Sequence, residues 1–127
     1  MRYLLDTHVL IWMVEDSPKL PLAIKEVIEH PKNQIAICSI SLWEIAIKMN
    51  IGKLMLSLSF DELISMLKSG DFDFLQVEDE YLLELSNLPL LHKDPFDRLL
   101  ISTALVEGAT LITVDENIQK YDVPWVW

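Results

Sequence analysis

Four acidic side chains occupy positions from which they could together bind a divalent cation. Asp6 directly follows the first apolar run of the chain, and Asp115 directly follows another apolar run near the C-terminus. Glu44 and Asp97 lie near the starts of two segments with helical hydrophobic spacing. Carboxylate oxygens are hard ligands that suit Mg²⁺ or Mn²⁺, and no His or Cys spacing suggests zinc. These four acids are therefore the candidate metal site.

Each of these acids also has an ordinary structural interpretation near a helix start. Asp6, Asp94 and Asp115 each stand where a helix is expected to begin, so each is a candidate N-cap. Glu44 follows Ser41 by three residues, which is the spacing of a capping box. Capping does not explain why an apolar strand runs directly into an acid twice. Both interpretations therefore stay open from the residues alone.

The elements that must position these acids are strands alternating with helices. Strands are predicted at residues 2–6, 34–39, 72–77, 110–114 and 123–126. Helices are predicted at residues 7–14, 21–29, 41–50, 60–68, 79–86, 95–107 and 116–120. This alternation predicts an α/β fold with three layers, α/β/α, around a central and mostly parallel sheet.

The predicted sheet brings the four acids to one edge. Ligands of open α/β sheets bind beyond the carboxyl ends of the strands, where the strand order reverses. Asp6 and Asp115 are expected at such ends, and Glu44 and Asp97 in the first turns of helices that begin there. Two carboxylates about 5 Å apart repel by roughly 3 kcal/mol at an effective dielectric constant of about 20. Four acids together therefore require a counter-charge.

The composition indicates one folded domain spanning residues 1–127. Hydrophobic residues make up 51% of the 127, which is enough for a packed core. No run reaches the roughly 20 apolar residues of a membrane helix, and no signal-peptide cleavage pattern follows the N-terminal apolar stretch. The single cysteine, Cys38, lies in an apolar run and is predicted to be a buried thiol. We expect a cytoplasmic protein without membrane attachment.

The net charge of −10 argues against tight binding of a polyanion through a broad basic surface. A cluster of acids that holds cations would nevertheless present a locally positive surface to phosphate. A basic partner protein would also suit this charge.

Four motifs together resemble the PIN domains, and most closely the VapC-type toxins of bacterial toxin–antitoxin pairs. In chain order the motifs are Leu5-Asp6-Thr7, Ser41-x-x-Glu44, Asp94-Pro-Phe-Asp97-Arg98-Leu-Leu and Thr113-x-Asp115. The resemblance covers nearly the whole chain. The run from Asp94 is the most specific of the four motifs, and their order along the chain strengthens the resemblance.

The resemblance implies a PIN-like fold and a divalent-metal-dependent endoribonuclease that hydrolyses RNA phosphodiester bonds. The residues implied to hold Mg²⁺ or Mn²⁺ are Asp6, Glu44, Asp97 and Asp115. The residues expected beside the metal ligands are Thr7, Asp94 and Thr113. The side chains near the acids that could bind substrate phosphates are Lys48, His92, Lys93 and Arg98, and Arg98 could equally pair with a neighbouring acid.

The resemblance also implies partners, namely an RNA substrate, a cognate antitoxin protein and a second copy of the chain in a homodimer. The apolar residues 49–60 could pack on the core, receive an antitoxin helix or form a dimer contact. The tryptophans interpreted as core or interface residues are Trp12, Trp43, Trp125 and Trp127. The histidines interpreted as surface or internally bonded residues rather than metal ligands are His8, His30 and His92.

Two alternatives from other classes remain at this stage. A phosphatase of the haloacid-dehalogenase type also places aspartates at strand ends, but it would want a second Asp where this chain has His8. A phospho-receiver domain would want paired acids early in the chain, which are absent. A catalytically silent PIN-like module that only binds other proteins is the second alternative, and metal-dependent cleavage would exclude it.

Overall fold

Strands and helices alternate along most of the chain in a computed structural model that describes residues 1–127. The strands are β1 (Arg2–Leu5), β2 (Gln34–Cys38), β3 (Asp73–Leu75), β4 (Thr110–Ile112) and β5 (Trp125–Val126). The helices are α1 (Thr7–Val14), α2 (Leu22–Glu29), α3 (Ser39–Asn50), α4 (Phe60–Ser69), α5 (Asp79–Asn87), α6 (Pro95–Glu107) and α7 (Glu116–Gln119). No helix is long and apolar enough to cross a membrane.

The five strands form one sheet in the order β3-β2-β1-β4-β5, and every neighbouring pair is parallel. The chain builds outward from β1 through β2 to β3, then returns to the other side of β1 to add β4 and β5. The order therefore reverses between β1 and β4, whose carboxyl ends lie side by side, as the pairing of Leu5 with Ile112 shows. The predicted three-layer α/β/α fold with a parallel sheet is confirmed.

Alternate residues of each strand supply the cores on the two faces of the sheet. Leu4 and Leu111 belong to the cluster under α5, α6 and α7, whereas Leu5 and Ile112 belong to the cluster under α1, α2 and α4. Successive side chains of a strand point to opposite faces, so a sheet covered on both sides needs continuous apolar runs. This requirement explains the apolar strands that end at the candidate acids.

Helix α6 begins and ends as its sequence predicts. The Asp94 side chain accepts hydrogen bonds from the backbone N–H groups of Phe96 at 2.9 Å and Asp97 at 3.1 Å, and Pro95 occupies the first turn. Gly108 closes the helix in the left-handed conformation, with φ of 63°. The interpretation of Asp94 as an N-cap is therefore correct, and the helix start fixes where Asp97 lies.

Helix α3 begins two residues earlier than predicted, at Ser39. The predicted capping box at Ser41 and Glu44 is wrong, because Cys38 holds the N-cap position and Ser41 lies inside the first turn. Glu44 consequently falls in the second turn and not in the first. The chain passes directly from β2 into α3, so the polar start signal at Ser41 does not mark the boundary.

Three strands are clearly shorter than predicted: β3 covers only Asp73–Leu75, β4 ends at Ile112 and not at Val114, and β5 covers only Trp125–Val126. Thr113 remains buried while Val114 is exposed, so the chain leaves the sheet just before Asp115.

The tryptophans lie nearer the surface than a core assignment would place them. Trp43 is 60% exposed, and Trp125 and Trp127 are also exposed. The apolar segment after α3 mostly packs on the core, through Leu54, Leu56, Leu58 and Phe60, although Met55 is 91% exposed. Cys38 is a buried free thiol, as predicted.

Candidate functional site

Asp6 ends β1 and is almost completely buried, at 1% exposure. The Thr113 hydroxyl donates to Asp6 Oδ2 at 2.7 Å, and the same hydroxyl accepts from the Asp115 backbone N–H at 3.0 Å. Asp6 Oδ1 is buried without any hydrogen-bond partner. Burial raises the pKa of Asp6, and the Thr113 hydrogen bond opposes this rise. Thr113 thus joins the ends of β1 and β4 and leaves one oxygen of Asp6 free.

Asp97 is buried in the first turn of α6, and a helical side chain there leans back toward the helix start. Its Oδ2 lies 3.1 Å from His92 Nε2. The pKa of Asp97 is raised to about 7: burial raises it most, the His92 contact lowers it, and the charges of Asp94, Asp6 and Asp115 raise it again. The mutual repulsion indicates that Asp6, Asp97 and Asp115 lie in one electrostatic cluster.

Asp115 is half-buried at the N-cap of α7. Its Oδ1 accepts a hydrogen bond from the Asn117 backbone N–H at 2.8 Å, so its capping interpretation is correct. Its charge nevertheless raises the pKa of both Asp6 and Asp97. One oxygen of Asp115 therefore caps α7, while the negative charge of its carboxylate acts on the other acids.

Glu44 reaches the same edge of the sheet from the second turn of α3 and is 4% exposed. The Lys48 ammonium, one helical turn further along, donates to Glu44 Oε2 at 2.6 Å. Glu44 Oε1 is buried without a partner. One turn before Glu44, Ser41 accepts a hydrogen bond from the Thr7 hydroxyl at 2.9 Å, which ties the start of α1 to α3.

The four acids share one pattern of hydrogen bonding. Each has one oxygen contacted by a group of the protein: Thr113 at Asp6, Lys48 at Glu44, His92 at Asp97 and the Asn117 N–H at Asp115. The second oxygen of each acid makes no hydrogen bond within the chain. Local spacing accounts for two of these contacts, the N-cap at Asp115 and the Lys48–Glu44 pair within α3, whereas those from Thr113 and His92 depend on how the chain folds.

The donor set fits a hard divalent cation. Only three buried side-chain polar atoms in the chain lack a partner, and two of them are Asp6 Oδ1 and Glu44 Oε1. A buried carboxylate oxygen without a partner is costly, and a cation would satisfy it. As the side chains stand, no three His, Cys, Asp or Glu residues are close enough together to hold a metal ion. Water ligands, several of which Mg²⁺ usually retains, would have to complete any site here.

A hydrogen-bond network behind Asp97 was not anticipated. The Tyr121 hydroxyl lies 2.8 Å from His92 Nδ1, and the backbone N–H groups of Leu91 and His92 both donate to it at 3.2 Å. Arg98 also donates to the Tyr121 hydroxyl, at 3.0 Å. No sequence signal marked Tyr121, because it lies 24 residues beyond Asp97 along the chain.

The remaining predicted residues have different surroundings. Arg98 donates to the Pro89 carbonyl and has no acid within ion-pair distance, so the suggestion that it pairs with a neighbouring acid is wrong. Lys93 is exposed beside the site and makes no hydrogen bond. Of the other histidines, His8 and His30 are exposed. A role for Lys93 or Arg98 at substrate phosphates stays a prediction.

A mostly apolar cleft lies apart from the acids. It encloses about 440 Å³ between the end of α1, α2 and α4, and its lining includes Met13, Ile28 and Phe72 but none of the four acids. The four acids line no enclosed pocket and lie at an open polar edge of the sheet.

The sequence and the fold both have known relatives. The family described as PIN domain matches residues 3–124. Ribonuclease VapC22 of Mycobacterium tuberculosis is 26% identical over 122 residues, which cover 95% of this chain and 92% of that protein.

Two solved structures share the fold of this chain over nearly its whole length. VapBC2 from Rickettsia felis, bound to a DNA fragment from its promoter, superposes with a TM-score of 0.77 at 21% identity, covering 100% of this chain and 99% of that one. DNA-bound VapBC from Salmonella typhimurium has a TM-score of 0.72 at 16% identity and covers 99% and 97%.

Proposed function

Because the chain belongs to the PIN domain family, we propose that it is a divalent-metal-dependent endoribonuclease and the toxin of a toxin–antitoxin pair. The observation that carries the proposal is the set of four acids, each with one oxygen contacted by the protein and the other left without a partner. Support also comes from the similarity to a ribonuclease over most of both chains and from the shared fold with VapBC proteins.

Asp6 and Asp97 are the proposed principal ligands of Mg²⁺ or Mn²⁺, with Glu44 and Asp115 completing the site directly or through water. A divalent cation in such a site supplies an activated water for attack on phosphorus and relieves charge on the phosphate oxygens. Thr113 orients Asp6 so that Oδ1 remains available, whereas Lys48 neutralises Glu44 at Oε2 and competes there with a cation. The protein therefore keeps one oxygen of each of the four carboxylates free of hydrogen bonds within the chain.

Binding of a cation is coupled to loss of a proton from Asp97. With a pKa of about 7, Asp97 keeps a proton in a large share of metal-free molecules at neutral pH. A cation must displace that proton, because a ligating carboxylate is ionised. Cation binding should therefore release protons, and the site should bind metal more tightly at pH 8 than at pH 6.

The proposed substrate is RNA, and hydrolysis is expected to leave a 5′-phosphate and a 3′-hydroxyl. The net charge of −10 means that phosphate recognition must be local and not spread over a basic face. Lys93 is the proposed phosphate contact because its ammonium is exposed and unengaged next to the site. Arg98 is a weaker candidate, since its guanidinium is already bonded to a carbonyl and to Tyr121.

The proposed protein partners are a cognate antitoxin and a second copy of this chain. An antitoxin that placed a basic side chain against the acid cluster would complement both its local charge and the net charge of the molecule. Exposed apolar side chains such as Leu82, Leu83 and Leu90 leave surface for contacts between proteins.

Cleavage of a panel of labelled RNAs tests the function directly. The purified chain is incubated with Mg²⁺, Mn²⁺ or EDTA, beside Asp97→Asn and the matched control Asp71→Asn, whose exposed acid lies between α4 and β3. We expect cleavage that requires metal, is lost in Asp97→Asn by a factor of at least about 100, and is kept in the control.

The same pair of variants tests the toxin role through growth of a bacterial host during induced expression. Wild type and Asp71→Asn should arrest growth, while Asp97→Asn should not. No cleavage of any RNA by a folded, metal-binding wild-type chain would contradict the nuclease proposal and favour a protein-binding module.

A further inference from the structure

The Tyr121 hydroxyl is the centre of a hydrogen-bond network that ends at Asp97. Three groups that can only donate converge on the phenolic oxygen: the backbone N–H groups of Leu91 and His92 and the guanidinium of Arg98. The imidazole of His92 lies between this hydroxyl and the acid, with Nδ1 2.8 Å from Tyr121 Oη and Nε2 3.1 Å from Asp97 Oδ2. Both ring nitrogens are therefore engaged.

Counting donors and acceptors determines where the protons lie. A phenol has one O–H to donate and two lone pairs to accept with. Three donors already share the two lone pairs of Tyr121 Oη, which leaves no lone pair for an N–H at His92 Nδ1, so the phenol O–H is assigned as the donor to Nδ1, the only acceptor in contact. Nδ1 then carries no proton, so the proton of the neutral ring is on Nε2 and is donated to Asp97 Oδ2.

The network is held rigidly behind the site. Tyr121 is 4% exposed in the core under α6, and its ring meets the His92 ring edge-on with centroids 5.4 Å apart. Arg98 also donates to the carbonyls of Pro89 at 2.8 Å and Leu88 at 3.3 Å, which ties the preceding loop to α6. His92 therefore has little freedom to rotate away from Asp97.

We propose that His92 is a positioning residue for the nuclease site, held by Tyr121 so that its Nε2–H orients Asp97 and leaves Oδ1 of that acid for the metal. The inference rests on the proposed function, because it assumes that Asp97 binds the cation. A group that hydrogen-bonds a metal ligand from behind typically accounts for about 10- to 100-fold in metal affinity. Neither residue touches the substrate in this role.

The test is a titration of the purified chain with Mn²⁺ at pH 8, in which the electron paramagnetic resonance signal of the free ion measures how much Mn²⁺ remains unbound. His92→Phe keeps the ring volume but removes both nitrogens, and should weaken binding by about tenfold or more. His92→Gln keeps an N–H that can reach Asp97, and should stay within about threefold of wild type. Tyr121→Phe frees the imidazole and should weaken binding several-fold, whereas His30→Phe, at an exposed site, should not change it.

A second readout does not depend on metal. Nitrogen-15 NMR of the histidine rings in metal-free protein at pH 8 should show His92 protonated at Nε2 and bare at Nδ1, with the assignment made from the signal lost in His92→Gln. Tyr121→Phe should weaken this tautomer preference, because only the Asp97 contact then favours a proton on Nε2. A proton on Nδ1 in the wild type would overturn the inference, because Asp97 would then not be receiving a hydrogen bond from the ring.

Asp97→Asn in the same titration distinguishes failure of the metal site from failure of the positioning role of His92. Unchanged Mn²⁺ affinity in Asp97→Asn would refute the metal site itself. Loss of affinity in Asp97→Asn, with wild-type affinity in folded His92→Phe, would refute only the positioning role. Equal loss in the phenylalanine and glutamine variants would also refute it, since the retained N–H would then make no difference.

Discussion

At the scale of single residues, the site is a set of buried charges that the metal-free protein tolerates at a cost. Asp6 and Asp97 are both buried, and burial raises the pKa of each because the charged form loses its hydration. Thr113 and His92 recover part of that loss through one hydrogen bond each. The rest of that loss destabilises the metal-free folded state, and the proposed cation would offset it.

The first prediction is that Asp97→Asn stabilises the protein in EDTA at pH 8. The folded-state pKa of about 7 is above the ordinary value of 3.8, so the carboxyl favours folding fully only below about pH 4. Stability then falls as pH rises toward 7 and stays low above it. The amide should therefore add on the order of 1–3 kcal/mol to the free energy of unfolding at pH 8 and almost nothing at pH 4. Urea denaturation at both pH values measures this, and a variant less stable than wild type at pH 8 would contradict it.

At the scale of elements, helix α3 brings its own counter-charge to the site. Lys48 follows Glu44 by four residues, so the two side chains lie on the same face one turn apart. The Lys48 side chain is about one-third exposed while that of Glu44 is buried, so the lysine keeps contact with solvent as it neutralises the acid. Helix geometry alone places this pair, without help from the rest of the fold.

The second prediction concerns Lys48→Met, which keeps the aliphatic stem and removes the ammonium. Metal-free protein should melt at a lower temperature, because Glu44 is left buried and unpaired. Mn²⁺ affinity should rise several-fold, because the metal no longer competes with a tethered cation. Calorimetry and a Mn²⁺ titration measure the two effects, with Lys53→Met, at an exposed position after α3, as the control. Lower Mn²⁺ affinity in Lys48→Met would show instead that the ammonium helps to build the site.

At the scale of the whole molecule, the strand order brings the candidate site residues together from distant parts of the chain. Residues separated by about 107 positions, Asp6 and Thr113, are in hydrogen-bond contact because β4 is added next to β1 after the chain has built β2 and β3 on the other side. Helices α3 and α6 pack against each other across the same edge and bring Glu44 and Asp97 with them. The site therefore belongs to no single segment.

The third prediction is that the cation couples this site to global stability. Saturating Mn²⁺ should raise the melting temperature of wild type, since a ligand at about 100 times its dissociation constant adds about 2.7 kcal/mol to the free energy of unfolding. Asp6→Asn should lose most of that shift, while Asp71→Asn should keep it. Differential scanning calorimetry with and without EDTA is the measurement, and an equal shift in all three proteins would place the cation elsewhere.

Sequence periodicity is sufficient to predict the type and order of the elements and the mostly parallel sheet. Local spacing identified α1 and α6 with their bounds, because apolar positions, an Asp-Pro start and a terminal glycine are all local signals. The start of α3 was misplaced because β2 leads into it without a turn. The four candidate acids were also identified from sequence, since each follows a strand or opens a helix at the edge where such folds bind ligands.

The sequence by itself therefore determined the fold class and the order and approximate extent of the elements, and it supplied the four acids as candidates for the site. Only the tertiary structure decided which oxygen of Asp6 and which oxygen of Asp97 is contacted by the protein. It also brought Tyr121 and His92, 29 residues apart, into contact behind Asp97. The physical reason is that periodicity reports which face of an element is buried, whereas a hydrogen bond between distant residues depends on strand order and packing, to which no local pattern is sensitive.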